Sequence, residues 1–160
     1  MKRYDIRALM FVLLLTFAGF VVSAQTGRKS VPASEVNGTF EMKFTGRFKG
    51  NSNEVRIYAL GGGKLHVAML LTFPYTMGNG ELMANVGELN EVFEIHGDEA
   101  SFISNDNQCS LTIKFLRPGT IKVGQQGSDV DCGFGNRVSA TGTYHKTSSK
   151  KPKFDDINDQ

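Results

Sequence analysis

Hydrophobic and polar residues alternate with a period of two along much of this chain. Between Lys64 and Pro74 an apolar side chain recurs at every second position, and shorter stretches around Phe40, Ile57 and Ile113 repeat the pattern. Such alternation is typical of strands that bury one face and expose the other. No segment carries a sustained apolar stripe at helical spacing between good caps. The pattern therefore predicts an all-β protein.

Clusters of Gly, Asn, Asp and Pro divide the alternating stretches into strands. Residues 81–90 are the one place that leaves room for a short helix, and Asn85 and Gly87 argue against it. We expect about eight short strands and a ninth or closing strand, at 38–46, 54–60, 64–74, 81–86, 90–96, 100–104, 109–116, 120–126 and 137–146.

The even spacing of these strands and their tight turns predict an antiparallel meander. A meander of this length has to protect its edge strands, and closure into a barrel does so completely. We expect Phe40–Met42 to pair with Gly142–Tyr144 and close a small barrel of about eight strands. A two-sheet β-sandwich is the alternative, because the number of strands does not separate the two folds.

The two ends of the chain differ in composition from the alternating middle. Residues 1–24 begin with Lys and Arg, continue as an apolar run and end in Val-Ser-Ala, which predicts a cleaved signal peptide and export to the periplasm or outside the cell. Residues 25–36 are polar and aperiodic, as expected of a flexible leader. Residues 147–160 are basic and then acidic, which predicts a disordered tail. The folded domain is expected at 37–146.

The net charge argues against some classes of function once the predicted signal peptide is set aside. Residues 1–24 hold three of the 18 basic and one of the 16 acidic residues, which leaves 15 of each in the mature chain. A neutral chain argues against nucleic-acid binding and against general attraction to anionic membranes. The apolar run is also too short for a stable membrane anchor.

The chain has two cysteines, Cys109 and Cys132. In an exported protein an even number of thiols is usually paired. We therefore expect a structural disulfide, which closes a loop of about two dozen residues and stabilises the fold by about 3 kcal/mol in the chain-entropy model.

The sequence offers no assembled catalytic or metal chemistry. It has no Gly-x-Ser-x-Gly motif, and a paired cysteine is no nucleophile. His66, His96 and His145 stand alone on different predicted strands, so no metal site or cofactor is predicted. We expect that the protein is not an enzyme.

Polar and aromatic residues in three predicted loops are the candidates for binding a partner. Aromatic and Met side chains at a barrel mouth suit a contact surface, whereas Asp129 and Asp131 suit a basic partner. Phe134, between two glycines, fits either an exposed anchor or a plug at one end of the barrel. The candidates are Tyr75, Met77, Asn79, Asn105, Asp106, Asn107, Asp129, Asp131 and Phe134.

The last third of the domain carries the densest motif. Cys109 opens a strand, a Gln-rich hairpin partner follows, and the segment ends in Cys132-Gly133-Phe134-Gly135 and Gly142-Thr143-Tyr144. This outline resembles small exported bacterial lysozyme-inhibitor-type β-barrels, which are antiparallel and hold one disulfide. One group of those inhibitors carries a Ser-Gly-x-x-Tyr loop, whereas this chain has Thr141 in place of the serine and is one residue shorter.

The resemblance implies an exported inhibitor of a basic muramidase-type enzyme that acts through loops at one barrel mouth. One other class remains open. A barrel of eight strands can hold one small apolar ligand in its interior, which would make the protein a carrier. A solidly packed interior favours binding through loops, and an internal cavity lined by Phe and Met favours the carrier.

Overall fold

Eight antiparallel strands form a closed barrel in which every strand pairs with its neighbours in sequence. The computed structural model describes residues 30–106 and 108–154. β1 pairs with β8 and closes the sheet, with Glu41 opposite His145. The strands are β1 (Gly38–Lys43), β2 (Ser52–Gly61), β3 (Lys64–Thr76), β4 (Leu82–His96), β5 (Glu99–Ile103), β6 (Ser110–Arg117), β7 (Thr120–Gln126) and β8 (Gly142–Ser148). The predicted barrel is thus confirmed over the sandwich.

Two parts of the chain differ most from the predicted strands. The stretches 81–86 and 90–96 belong to the single strand β4, so residues 82–90 are strand, as the sequence favoured over a short helix. The last strand begins at Gly142, and a long loop occupies 127–141. β8 therefore meets β1 through residues 145–148, whereas Gly142–Tyr144 pairs with β7.

The inward face of the barrel is apolar, as the alternation predicts. Each strand directs every second side chain into the interior, where these residues form one contiguous hydrophobic cluster. Its strand members include Phe40, Val55, Ile57, Leu65, Val67, Met69, Leu71, Phe93, Leu111, Ile113, Ile121, Val123 and Tyr144, each at most 2% exposed.

The two ends of the barrel are built differently, because consecutive turns of a meander lie at opposite ends. At the closed end, three tight turns accompany a single helical turn, α1 (Ala33–Val36). Val36 is buried there, and the Lys146 ammonium donates to the carbonyls of Ser34, Glu35 and Asn37. Desolvation lowers the pKa of Lys146, and the Glu35 charge acts in the opposite direction.

The other end, here called the loop-bearing end, carries the four remaining connections. They are the β1–β2 loop with a 3₁₀ turn (Gly46–Phe48), the β3–β4 turn, the β5–β6 loop and the β7–β8 loop.

Both predicted tails differ from expectation where the structure describes them. Residues 33–36 form α1 rather than a flexible leader, and Thr147 and Ser148 belong to β8. Beyond β8 the chain follows the outside of β2 and β3, where Pro152 is buried and the Phe154 ring stacks on His66 at 3.9 Å between centroids. The predicted signal peptide, residues 25–29 and residues 155–160 lie outside the described residues.

Candidate functional site: the loop-bearing end

The barrel topology brings the three loops that carry the predicted binding residues to the same end. Tyr75, Met77 and Asn79 lie at the tip of the β3–β4 hairpin. Asn105 and Asp106 lie in the β5–β6 loop, whereas Asn107 is outside the described residues. Asp129, Asp131 and Phe134 lie between β7 and β8.

A disulfide joins two of these loops. Cys109, at the start of β6, is bonded to Cys132 across a sequence separation of 23 residues, which confirms the predicted pairing. Both cysteines are buried in the hydrophobic cluster. The segment 127–141, here called the disulfide loop, is therefore fixed to the neighbouring β5–β6 loop.

Two of the predicted carboxylates organise their own loops. Asp131 accepts hydrogen bonds from the Ser128 hydroxyl at 2.6 Å and the Ser128 amide at 2.9 Å. Asp106 accepts from the Ser104 hydroxyl at 2.6 Å and the Gln108 amide at 3.2 Å. These bonds hold the pKa of each carboxyl below its usual range, with the Ser128 and Ser104 hydroxyls as the largest causes.

The two carboxylates also lie near each other. The charge of Asp106 opposes the ionisation of Asp131 and limits the fall of its pKa. Both groups are therefore ionised at neutral pH. The β5–β6 loop and the disulfide loop, here called the joined loops, thus present negative charge to solvent. Asp129 is less exposed and accepts a hydrogen bond from Gln125 at 3.3 Å.

Phe134 is not an exposed anchor. Its side chain is 1% exposed and belongs to the hydrophobic cluster, as the plug interpretation expects. The disulfide loop approaches the barrel so closely here that a Cβ added at Gly87 would lie 2.8 Å from Phe134 Cα. Gly87 is thus required in β4 by the close approach of the disulfide loop.

The β3–β4 hairpin extends beyond its neighbours at this end, and its segment Thr72–Val86 is here called the wing. β2 pairs with β3 only as far as Leu70, and β5 pairs with β4 only from Glu94 to His96. Four large apolar residues of the wing remain exposed: Met77 at 45%, Leu82 at 58%, Met83 at 46% and Val86 at 54%. Only Met77 was among the residues predicted from the sequence.

The free edge of β3 in the wing is poorly suited to pairing with a further strand. The Thr72 amide donates to the buried side chain of Asn53 at 2.7 Å, and Pro74 has no N–H to donate. Arg47 of the β1–β2 loop donates to the Thr76 hydroxyl at 3.3 Å. The wing is thus held in place on this side without a further strand.

The outer face of the wing forms a groove with the β1–β2 loop. The groove has a volume of about 280 Å³ and lies outside the barrel wall, so it is not the internal cavity expected of a carrier. Its lining is mostly apolar and consists of Phe48, Asn51, Thr72, Pro74, Leu82 and Ala84, together with Met83, which is paired with Tyr75 of the inner face.

The inner face of the wing meets the disulfide loop. Phe73 and Tyr75 lie on this face with their ring centroids 6.5 Å apart, and Met83 lies opposite Tyr75 on β4. The Arg137 guanidinium lies 4.4 Å from the centroid of Phe73. Sequence reasoning missed Arg137 because its loop has no periodicity, and only the folded structure places it beside the wing.

Two classes of feature are absent from the described part of the chain, residues 30–106 and 108–154. It holds no group of three or more His, Cys, Asp or Glu side chains placed to hold a metal ion. It also holds no helix long and apolar enough to span a membrane.

Comparisons with protein-family models, with curated proteins and with solved structures find no match for this chain.

Proposed function

We propose that this chain is an exported protein that binds a macromolecular partner through the loop-bearing end of its barrel, without catalytic turnover. The observation that carries the proposal is the wing, which exposes Met77, Leu82, Met83 and Val86 beside ordered, charged loops. Exposed apolar side chains that are rimmed by polar groups mark interaction sites. Among the described residues the closed end carries tight turns and the docked helical turn α1, and its exposed large apolar side chains, Leu60 and Leu116, lie on separate strands beside two of those turns.

The partner class we propose is a cell-wall hydrolase of the muramidase type. The support is the resemblance of the C-terminal segment to lysozyme-inhibitor-type barrels, together with the charge of the joined loops. Asp106 and Asp131 are ionised and held by their own loops, so they meet a basic surface with little loss of conformational entropy.

The packing of the interior favours this proposal over a small-ligand carrier. The inward side chains form one contiguous cluster that includes Phe134 from the disulfide loop. The groove of about 280 Å³ lies on the outside of the wing.

A lysis assay with a panel of purified muramidases tests the proposal. Wild type is compared with Asp106→Asn/Asp131→Asn, which keeps an acceptor oxygen at each position and removes the charge. The matched control, Glu94→Gln/Glu99→Gln, removes the same charge at the closed end. We expect micromolar wild type and control to slow lysis by at least one enzyme, and the loop variant to be weaker by about tenfold, equivalent to about 1.4 kcal/mol. If no muramidase is slowed, the hydrolase proposal is wrong.

A further inference from the structure

Arg137 is set apart from the other described residues by its backbone. Among residues 30–106 and 108–154 it is the one non-glycine residue with a positive φ, at 65°. Arginine rarely adopts this left-handed conformation, which favours Gly, Asn and Asp. The surrounding loop has to impose it, and the inference from such an outlier runs from the observed strain to a function.

The neighbours of Arg137 show how the conformation is imposed. On one side, the Asn136 carbonyl accepts a hydrogen bond of 2.8 Å from the side-chain amide of Asn85 in the wing. On the other side, Val138 is fully buried in the hydrophobic cluster. The backbone on both sides is therefore fixed, and the side chain of Arg137 leaves the loop toward the ring of Phe73.

The guanidinium of Arg137 has no acceptor within the described residues. The other three arginines in that part of the chain each donate a hydrogen bond, namely Arg47, Arg56 and Arg117. Arg137 has only the face of Phe73, although it is exposed. A guanidinium held over an aromatic ring by its π face still has N–H groups that can bind a carboxylate in a bidentate manner.

Apolar surface adjoins this charge. Tyr75 lies next to Phe73 on the same strand face, and its cross-strand neighbour Met83 is 46% exposed. We propose that Arg137, Phe73, Tyr75 and Met83 form a second contact site, which binds a carboxylate on an apolar segment of a protein partner.

The charges around the wing favour a protein segment over an anionic lipid surface. Glu81, at the tip of the wing, is exposed; its carboxylate accepts a hydrogen bond from the Asn79 side-chain amide, and its backbone N–H donates to the Asn79 side-chain oxygen. The joined loops add the ionised Asp106 and Asp131 at the same end. A bilayer would bring many negative charges against all three carboxylates, whereas a peptide segment brings a single carboxylate to Arg137.

The test is an NMR titration of the complete domain, observed at the Arg137 side-chain N–H and the Met83 methyl group. The probe is the acetylated and amidated pentapeptide Ser-Phe-Asp-Leu-Ser, and its neutral analogue carries Asn in place of Asp. We expect both protein signals to shift with the Asp peptide, and the dissociation constant to rise by at least about tenfold with the analogue.

Variants of Arg137 complete the test. Arg137→Gly and Arg137→Asn remove the guanidinium while both residues accept a positive φ, so the loop keeps its path. Observed at Met83, each is expected to bind the Asp peptide at least about tenfold more weakly than wild type. Arg117→Gln at the closed end loses one arginine as well and should bind like wild type.

Several outcomes overturn the inference. They are an absence of shifts at millimolar peptide, equal binding of the Asp and Asn peptides, and unchanged binding by the Arg137 variants. Vesicles of phosphatidylcholine with phosphatidylglycerol are titrated in parallel, and binding of these vesicles without binding of the peptide also overturns it. The titration contains no hydrolase, so its result is independent of the muramidase assay.

Discussion

At Arg137 the energetic cost of the strained backbone can be compared with the gain from the cation–π contact with Phe73. A left-handed conformation costs an L-residue about 1–2 kcal/mol, and a cation–π contact at an exposed site returns about 0.5–1 kcal/mol. Glycine at this position removes the strain and the contact together, whereas alanine removes the contact alone.

We therefore expect Arg137→Gly to change the free energy of unfolding by less than about 1 kcal/mol, and Arg137→Ala to lower it by about 0.5–1 kcal/mol. Urea denaturation of the three proteins measures the difference. If glycine destabilises the fold more than alanine does, the backbone of Arg137 is not strained in solution.

Tyr144 makes the stability of the barrel depend on pH in the alkaline range. The residue is fully buried, and its hydroxyl donates to the Ala140 carbonyl at 2.8 Å. Desolvation raises its pKa from 10.0 to about 12, and the Asn53 side chain acts in the opposite direction. Because the folded state holds the proton more tightly, its contribution is complete below pH 10 and is lost as pH rises toward 12.

Tyr144→Phe is the matched comparison for this pH dependence. The variant lacks the ionisable hydroxyl, so its free energy of unfolding should fall less steeply than that of wild type between pH 10 and pH 12. Urea denaturation in steps across this range gives the two slopes. Equal slopes would show that Tyr144 ionises alike in the folded and unfolded chain.

At the scale of elements, the residues after β8 belong to the folded unit. Phe154 stacks on His66 with an interplanar angle of 12°, and the Lys153 carbonyl accepts a hydrogen bond from Arg56 at 2.6 Å. Lys151 lies 4.5 Å from the Tyr58 ring centroid. This segment thus covers the outer faces of β2 and β3 in the middle of the barrel.

Phe154→Ala should lower the free energy of unfolding by about 1 kcal/mol, because an aromatic pair contributes about 0.5–1.5 kcal/mol beyond its buried area. Lys150→Ala, in the same segment and exposed, is the control and should have little effect. Chemical denaturation measures both. A Phe154 variant as stable as wild type would show that the segment does not dock, as the sequence prediction of a disordered tail expects.

The elements also show which features a sequence can and cannot predict. Strands such as β3 and β6 were found because one face is buried, so apolar residues recur at every second position. The sequence prediction divided β4 into 81–86 and 90–96, and the reason for Gly87 between them is a loop more than 40 residues later in the sequence. Phe154 docks as a single residue, and a single residue has no period.

The candidate site was predicted in part for the same physical reason. Turn chemistry identified the loops that carry Tyr75, Met77 and Asp131, and a meander places such loops at one end. The exposure of Leu82 and Met83 was not predictable, because alternation gives no sign that neighbouring strands stop short of the wing. The position of Arg137 beside Phe73 was not predictable either, because it depends on a contact between segments that are distant in sequence.

At the scale of the whole molecule, the two ends of the barrel have opposite characters. The closed end carries tight turns and α1, fixed by Lys146, and exposes the apolar side chains of Leu60 and Leu116 on two separate strands. The loop-bearing end combines a wing with exposed apolar residues, a disulfide between two loops and carboxylates held in place. This asymmetry predicts that recognition is confined to one end, which is the central claim of the proposed function.

Immobilisation of the protein by one end or the other tests this claim most directly. The two native cysteines are paired, so a single added cysteine gives a unique attachment point at the loop-bearing end (Met77→Cys) or at the closed end (Lys64→Cys). Binding of the muramidase panel to each surface is then measured. The account predicts that the surface attached through residue 64 captures enzyme and that the surface attached through residue 77 does not. Equal capture by the two surfaces, or capture only through residue 77, would contradict it.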